Sequence, residues 1–290
     1  MAEWVVVKQL QVDILKASVA EKSDIYVDVV VHESIDSTNS WSLQQCKLGK
    51  TLPFACFAEE QTAGRGRRGK QWIMSAHANI AMSITWPFAL SYQQLHLLPL
   101  SIAIAIAETL EILSLKHVQI KWPNDVFVQG KKIAGVLIET QPIKGSQIIS
   151  KRNEERFMAV VIGVGLNYDA SELKLNESQV MPDLADFCGE LRSQMIEVMP
   201  DRTSVASALL SNIINMCQNF QQDSKQYLEK FRTQYDYCKE KNVEIILDNK
   251  EVVSGIAHGI NDNAELLVWV DGKERVFNSA EVSVKTGHKS

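Results

Sequence analysis

Residues 60–72 read Glu60-Gln61-Thr62-Ala63-Gly64-Arg65-Gly66-Arg67-Arg68-Gly69-Lys70-Gln71-Trp72. Three glycines let the backbone fold closely around a ligand, and Arg65, Arg67, Arg68 and Lys70 bring cationic charge to the same place. Guanidinium groups bind phosphate and carboxylate oxygens bidentately, so the chemistry on offer is anion binding. Downstream, Lys121-Trp122-Pro123-Asn124-Asp125 sets a lysine, an amide and a carboxylate at one strand end, and Lys132-Ile133-Ala134-Gly135 puts another lysine on the returning strand. Each segment alone has a plainer explanation: a basic surface turn or nucleic-acid patch, a capped turn, a solvated strand edge. A ligand carrying phosphates would use all three.

Gly64 to Gly69 also spell G-x-G-x-x-G. A dinucleotide fingerprint needs a helix directly after the glycines and an acidic residue about 20 positions on. Here a strand pattern follows, and Ile84 to Leu90 hold no Asp or Glu. A kinase glycine-rich loop does lie between strands, but its V-A-I-K, H-R-D and D-F-G partners are missing. Five cysteines without a C-x-x-C pair read as reduced thiols, and the histidines follow no metal-ligand spacing.

The elements that position these residues are legible in outline. Asp28-Val29-Val30-Val31 begins a strand, and Ile35-Asp36-Ser37-Thr38-Asn39 should open a helix. Phe54–Ala58 is a buried strand running into the arginine loop, and Asn79–Trp86 alternates with period two. Pro99 suits the first turn of a buried helix reaching about Leu113. Val118–Trp122 is a strand entering the Pro123-Asn124-Asp125 turn. Val126–Val128 and Ile133–Ile138 make a hairpin around Gln129-Gly130-Lys131. Gln141 to Arg156 is a surface loop, and Val160–Asn167 a buried, glycine-bearing strand. Val205, Leu209, Ile213, Met216 and Phe220 mark one helical stripe, and Tyr227, Phe231 and Tyr235 suggest another. From about Cys238, short strands alternate with turns, as in a small barrel.

The 290 residues are 46% hydrophobic and 22% charged, with net charge −5. That is material for about two domains, expected as 1–237 and 238–290. A mildly acidic chain is a poor nucleic-acid coat. The start lacks the pattern of a signal peptide, and the apolar stretches are too short to span a bilayer, so a cytoplasmic protein with no membrane partner is expected.

The quoted segments, with Gly163-Val164-Gly165-Leu166-Asn167, resemble in order and spacing the biotin–protein ligase family (biotin–[acetyl-CoA-carboxylase] ligase). Asp36-Ser37-Thr38-Asn39 resembles its biotin-pocket motif. The resemblance runs from about Val29 to the C-terminus and implies an α+β fold. A mixed β-sheet flanked by helices, as in class II aminoacyl-tRNA synthetases, would carry a small C-terminal Src-homology-3-like barrel. It implies an ATP-dependent enzyme that makes biotinyl-5′-AMP and passes biotin to a lysine of a carboxyl carrier protein. ATP and biotin would be substrates and Mg²⁺ would assist. Ser37, Thr38, Asn39, Gln61, Arg65, Gly66, Arg67 and Lys132 would contact biotin. Arg67, Trp72, Lys121, Asn124 and Asn167 would bind ATP, and Asp125 would support the metal. Arg65, Arg67 and Lys132 would be catalytic. Only 36 residues precede Ser37, which points to the monofunctional form without DNA binding, and a homodimer is a possibility the family offers. The alternatives are a lipoate–protein ligase and a non-enzymatic biotin sensor.

Overall fold

The computed structural model describes residues 9–21, 25–89, 95–143, 157–168, 200–278 and 282–286. A helix α1 (Val12–Ala20) precedes β1 (Asp28–Ile35), α2 (Thr38–Lys47), β2 (Phe54–Gln61) and β3 (Ile80–Phe88). Then come α3 (Leu98–Ile112), β4 (Val118–Lys121), β5 (Asp125–Val128), β6 (Lys131–Pro142) and β7 (Met158–Leu166). A 29-residue helix α4 (Arg202–Lys230) leads to β8 (Asn242–Leu247), β9 (Val252–Ile260), β10 (Leu266–Val270), β11 (Lys273–Phe277) and β12 (Val282–Thr286).

Strands β1 to β7 form one sheet in the order β1-β2-β3-β7-β6-β5-β4, antiparallel except for the parallel pair β1–β2. Strand alternation divides the core. Ala55 and Phe57 of β2 join the main apolar cluster with α1, α3 and α4, whereas Phe54 joins a smaller one with Cys46 and Trp41 of α2. The period-two segment expected as a strand is β3, and both of its faces are buried. Ile80, Met82 and Ile84 enter the main core, while Ser83 bonds to α2 on the other side. The expected mixed sheet flanked by helices is therefore present.

Three expectations need correction. The two stripes at 205–220 and 227–235 belong to one rod: α4 is continuous and runs on into a wider turn over Phe231–Tyr235. The polar stretch Gln221–Lys225 contains no glycine or proline, so nothing there breaks the helix. The expected loop starts later than Gln141, because β6 reaches Pro142; residues 144–156 lie outside the described residues. The C-terminal strands make an open five-stranded antiparallel sheet, β11-β10-β9-β8-β12, whose end strands do not pair among the described residues. A closed barrel is not what the pairing gives.

Asp201 caps α4, accepting hydrogen bonds from the Ser204 amide at 3.0 Å and its hydroxyl at 2.5 Å. Burial works to raise its carboxyl, but these bonds and the Thr203 amide outweigh it and hold the group below the usual carboxylate value. A depressed native pKa means stability that is present at neutral pH and lost as pH falls through the carboxylate range. Asp201→Ala should cost about 1 kcal/mol at pH 7 in urea unfolding. The difference should shrink below about pH 4.

Candidate functional site

Every residue singled out from the sequence as a site residue lines a single cavity of about 650 Å³ on the seven-stranded sheet. One end is built by α2 and β2. Ser37 caps α2, and the Thr38 amide and hydroxyl both donate to Gln61 Oε1, at 2.9 and 3.2 Å. Ser83 Oγ lies 2.7 Å from Thr38 Oγ1 and 2.6 Å from Asn39 Oδ1, while Asn39 Nδ2 donates to Glu139 Oε2 at 2.9 Å. These side chains are locked before any ligand arrives. Gly163 of β7 makes the arrangement possible, because a Cβ there would lie 2.2 Å from Asn39 Oδ1.

The arginine loop covers the cavity as a tight structure. The Gly66 amide donates to Lys70 O at 2.7 Å, the Trp72 amide to Gly64 O at 2.9 Å, and Arg65 bridges to Gln71. A Cβ on Gly64 would lie 2.3 Å from Trp72 O, so only glycine closes the loop this way. Arg65 pairs with Glu139, and Arg67 donates to Asn124 Oδ1 at 2.9 Å. Burial pulls the Arg67 guanidinium below its usual pKa; nearby Asp125 opposes this and Arg68 adds to it. A partly desolvated cation beside a second arginine favours an incoming anion.

The other end comes from the β4–β5 turn and the β5–β6 hairpin. Asn124 is buried, its amide donating to Val136 O at 2.6 Å. The β5–β6 register skips Ile133, a bulge that brings Lys132 opposite Phe127. Lys132 Nζ sits 2.7 Å from Asp125 Oδ1 and 5.8 Å from the Trp72 ring centroid. Gly135 leaves room for this meeting, since a Cβ would lie 3.1 Å from Lys132 Nζ and 3.3 Å from Asp125 Oδ1. Lys121 Nζ lies 5.5 Å from the Phe127 ring centroid. Trp72 packs flat on Gly165, whose Cβ would fall 2.3 Å from the indole. Trp72 Nε1 and Asn167 Oδ1 are buried with no hydrogen-bond partner among the described residues, and a polar ligand edge would satisfy both.

Sequence reasoning missed Ser83 and Glu139. Ser83, like Thr85, is a polar residue inside a largely apolar buried stretch of β3, a usable signal. Glu139 gave none, because its importance comes from Asn39 and Arg65, 100 and 74 residues away. Among the described residues no three His, Cys, Asp or Glu side chains gather as a metal site. Asp125 is a single carboxylate beside a lysine, a donor set that suits a magnesium ion carried on nucleotide phosphates.

The family model described as the biotin/lipoate A/B protein ligase family matches residues 31–167. The bifunctional ligase/repressor BirA of Escherichia coli is 31% identical over 262 residues, covering 90% of this chain and 75% of the relative. The biotin–[acetyl-CoA-carboxylase] ligase of Mycobacterium tuberculosis is 28% identical over 262 residues, 88% of each chain. Among solved structures, Aquifex aeolicus biotin protein ligase in complex with biotin and ATP superposes with TM-score 0.67 at 22% identity, covering 90% of this chain and 99% of that one. Leishmania major biotin protein ligase in complex with biotinyl-5-AMP gives 0.55, also at 22%, covering 87% and 99%.

Proposed function

This chain belongs to the biotin/lipoate A/B protein ligase family, and from that premise we propose that it is an ATP-dependent biotin–protein ligase acting on a biotin carboxyl carrier protein. The observation that carries the reading is the two-ended cavity: a pre-bonded polar end on α2 and β2, and a cationic end under the arginine loop. Biotin's ureido ring would sit at the Ser37–Thr38–Asn39 and Gln61 end, with its carboxylate toward Arg65, Gly66, Arg67 and Lys132. Trp72 and Asn167 would receive the adenine, and Lys121, Asn124 and Arg67 the phosphates. Mg²⁺ would come with the nucleotide, and Asp125 would help to hold it.

The carboxylate oxygen attacks the α-phosphorus, the bond to the leaving pyrophosphate breaks, and biotinyl-5′-AMP forms. A carrier lysine amine then attacks the acyl carbon and AMP leaves. No nucleophile from the enzyme is required; Arg65, Arg67 and Lys132 hold two anions in reacting distance and spread the developing charge. Two folding units, 1–237 and 238–290, belong to the same reading. So does a homodimer, in which β1, an edge strand of the sheet among the described residues, would be a candidate for pairing. No helix among the described residues is long and apolar enough to cross a membrane.

Mass spectrometry of an apo carrier domain, incubated with the protein, Mg-ATP and either biotin or lipoate, tests this. Modification by biotin alone is expected. Modification by lipoate would move the chain to the other branch of the family, and binding of biotin without transfer would make it a sensor. The two ends can be separated with one methyl group each. Gly163→Ala strikes Asn39 and should raise the KM for biotin, while Gly165→Ala strikes Trp72 and should raise that for ATP. Each shift should be about 1–3 kcal/mol, the usual cost of overpacking. Equal effects on both substrates from either change would show the ends to be wrongly assigned.

A further inference from the structure

One arginine of the loop is assigned no ligand contact in the ligase reading. Arg68 reaches into the C-terminal sheet, where Nη1 donates to Ile246 O at 3.1 Å and Nη2 to Asp248 Oδ1 at 2.5 Å. Ile246 is near the end of β8 and Asp248 opens the turn to β9, so one guanidinium fork grips that turn at two points. Its own backbone is left-handed, at φ +55°, a strained state for a residue with a Cβ that persists only where surroundings hold it. The neighbouring Arg67 is the residue that bonds to Asn124 inside the cavity. The second loop of the site leans on the same sheet, because Trp122 Nε1 donates to Ala264 O at 2.8 Å and is buried there.

We propose that Arg68 and Asp248 form a clasp through which the C-terminal sheet positions the arginine loop over the nucleotide. Both are positioning residues, and their task is retention of the acyl adenylate. The inference rests on the ligase reading for what is retained, not for the clasp itself. With the clasp closed, Arg67 is held toward Asn124 and the cavity stays shut to water. With it open, the strained backbone at Arg68 relaxes and the loop lifts from its near edge.

The test uses the full chain with Arg68→Ala, Asp248→Ala, the double variant and Asp248→Asn. Biotinyl-AMP formed on the enzyme is chased, and its release is followed together with labelling of bystander lysines. Asp248 is exposed, so Asp248→Ala should speed release by about two- to fivefold, the scale of an exposed ion pair. Arg68→Ala loses both contacts and should exceed it. The double variant should release no faster than Arg68→Ala alone, and Asp248→Asn, which keeps an oxygen acceptor, should fall between Asp248→Ala and the parent. The thermal unfolding midpoint should stay parental in Asp248→Ala while release accelerates, which a merely structural defect would not predict. Parental release rates in both single variants, or single effects that multiply in the double, overturn the clasp. A second arm needs no catalysis: in the ligand-free protein, trypsin should cut after Arg65 or Arg67 faster in Asp248→Ala than in the parent. Equal cutting overturns the clasp, whereas a parent that forms no biotinyl-AMP overturns only the ligase reading.

Discussion

Lys132→Met is expected to slow formation of biotinyl-AMP by two to three orders of magnitude, roughly 3–4 kcal/mol of transition-state stabilisation. Methionine keeps the apolar stem of the lysine and removes the terminal ammonium with its charge and donors. In the protein that charge lies 2.7 Å from Asp125 and faces Trp72, in space Gly135 leaves open. When two anions are brought together, the ammonium can exchange Asp125 for the reacting oxygens without moving far, because it is already positioned. The fold should hardly notice. Lys132 and Asp125 are both only partly buried, and such pairs contribute about 0–1 kcal/mol. Single-turnover formation of biotinyl-AMP, with thermal unfolding alongside, reads both quantities. A loss below about tenfold would remove Lys132 from the charge-stabilising role.

The residues that could be found by inspection share a property: their chemistry is declared locally. The arginine loop, the Lys121–Asp125 turn and Lys132 each carry charge beside glycine or proline, an expensive combination anywhere else. The cap at Ser37 follows from side-chain chemistry within three residues. Helix α1 was hidden because only Leu15 and Val19 mark its buried face and Gln11 gives no side-chain cap. The unity of α4 was hidden by its polar middle, and closure of the C-terminal strands was a global property that strand spacing could not decide. The role of Gly163 and Gly165 illustrates the boundary well. The motif is visible, yet the reason for it, the approach of Asn39 and of Trp72 from more than 90 residues away, exists only in three dimensions.

Glu59 shows the same limit in the core, and its replacement carries the largest expected effect on stability. Its carboxylate pairs with Arg202, accepts from the Leu10 amide at 2.6 Å and meets His77 Nδ1 at 3.2 Å; Glu59 and Arg202 are 2% and 3% exposed. Arg202 also donates to Asn79 O at 3.1 Å. It stands in the first turn of α4, where the helix dipole disfavours a cation, so the carboxylate opposes both burial and dipole. Glu59→Gln keeps the shape and an acceptor for Leu10 but leaves a guanidinium buried without a counter-charge. The expected loss is about 3–5 kcal/mol. Much of a typical domain's 5–15 kcal/mol would go with it. Arg202→Met should cost a similar amount by stranding the carboxylate. The double variant strands neither charge and should lose clearly less than the sum of the two, with a coupling of about 1–3 kcal/mol in denaturant unfolding. Additive losses, or single losses below about 1 kcal/mol, would mean that water already reaches the pair. Because Glu59 lies two residues before Gln61 on β2, the single variants should also weaken biotin binding, and the double should restore it in step with stability. A charge pair on which the strand bearing the site depends thus joins the N-terminal segment, the sheet and α4 into one cooperative unit.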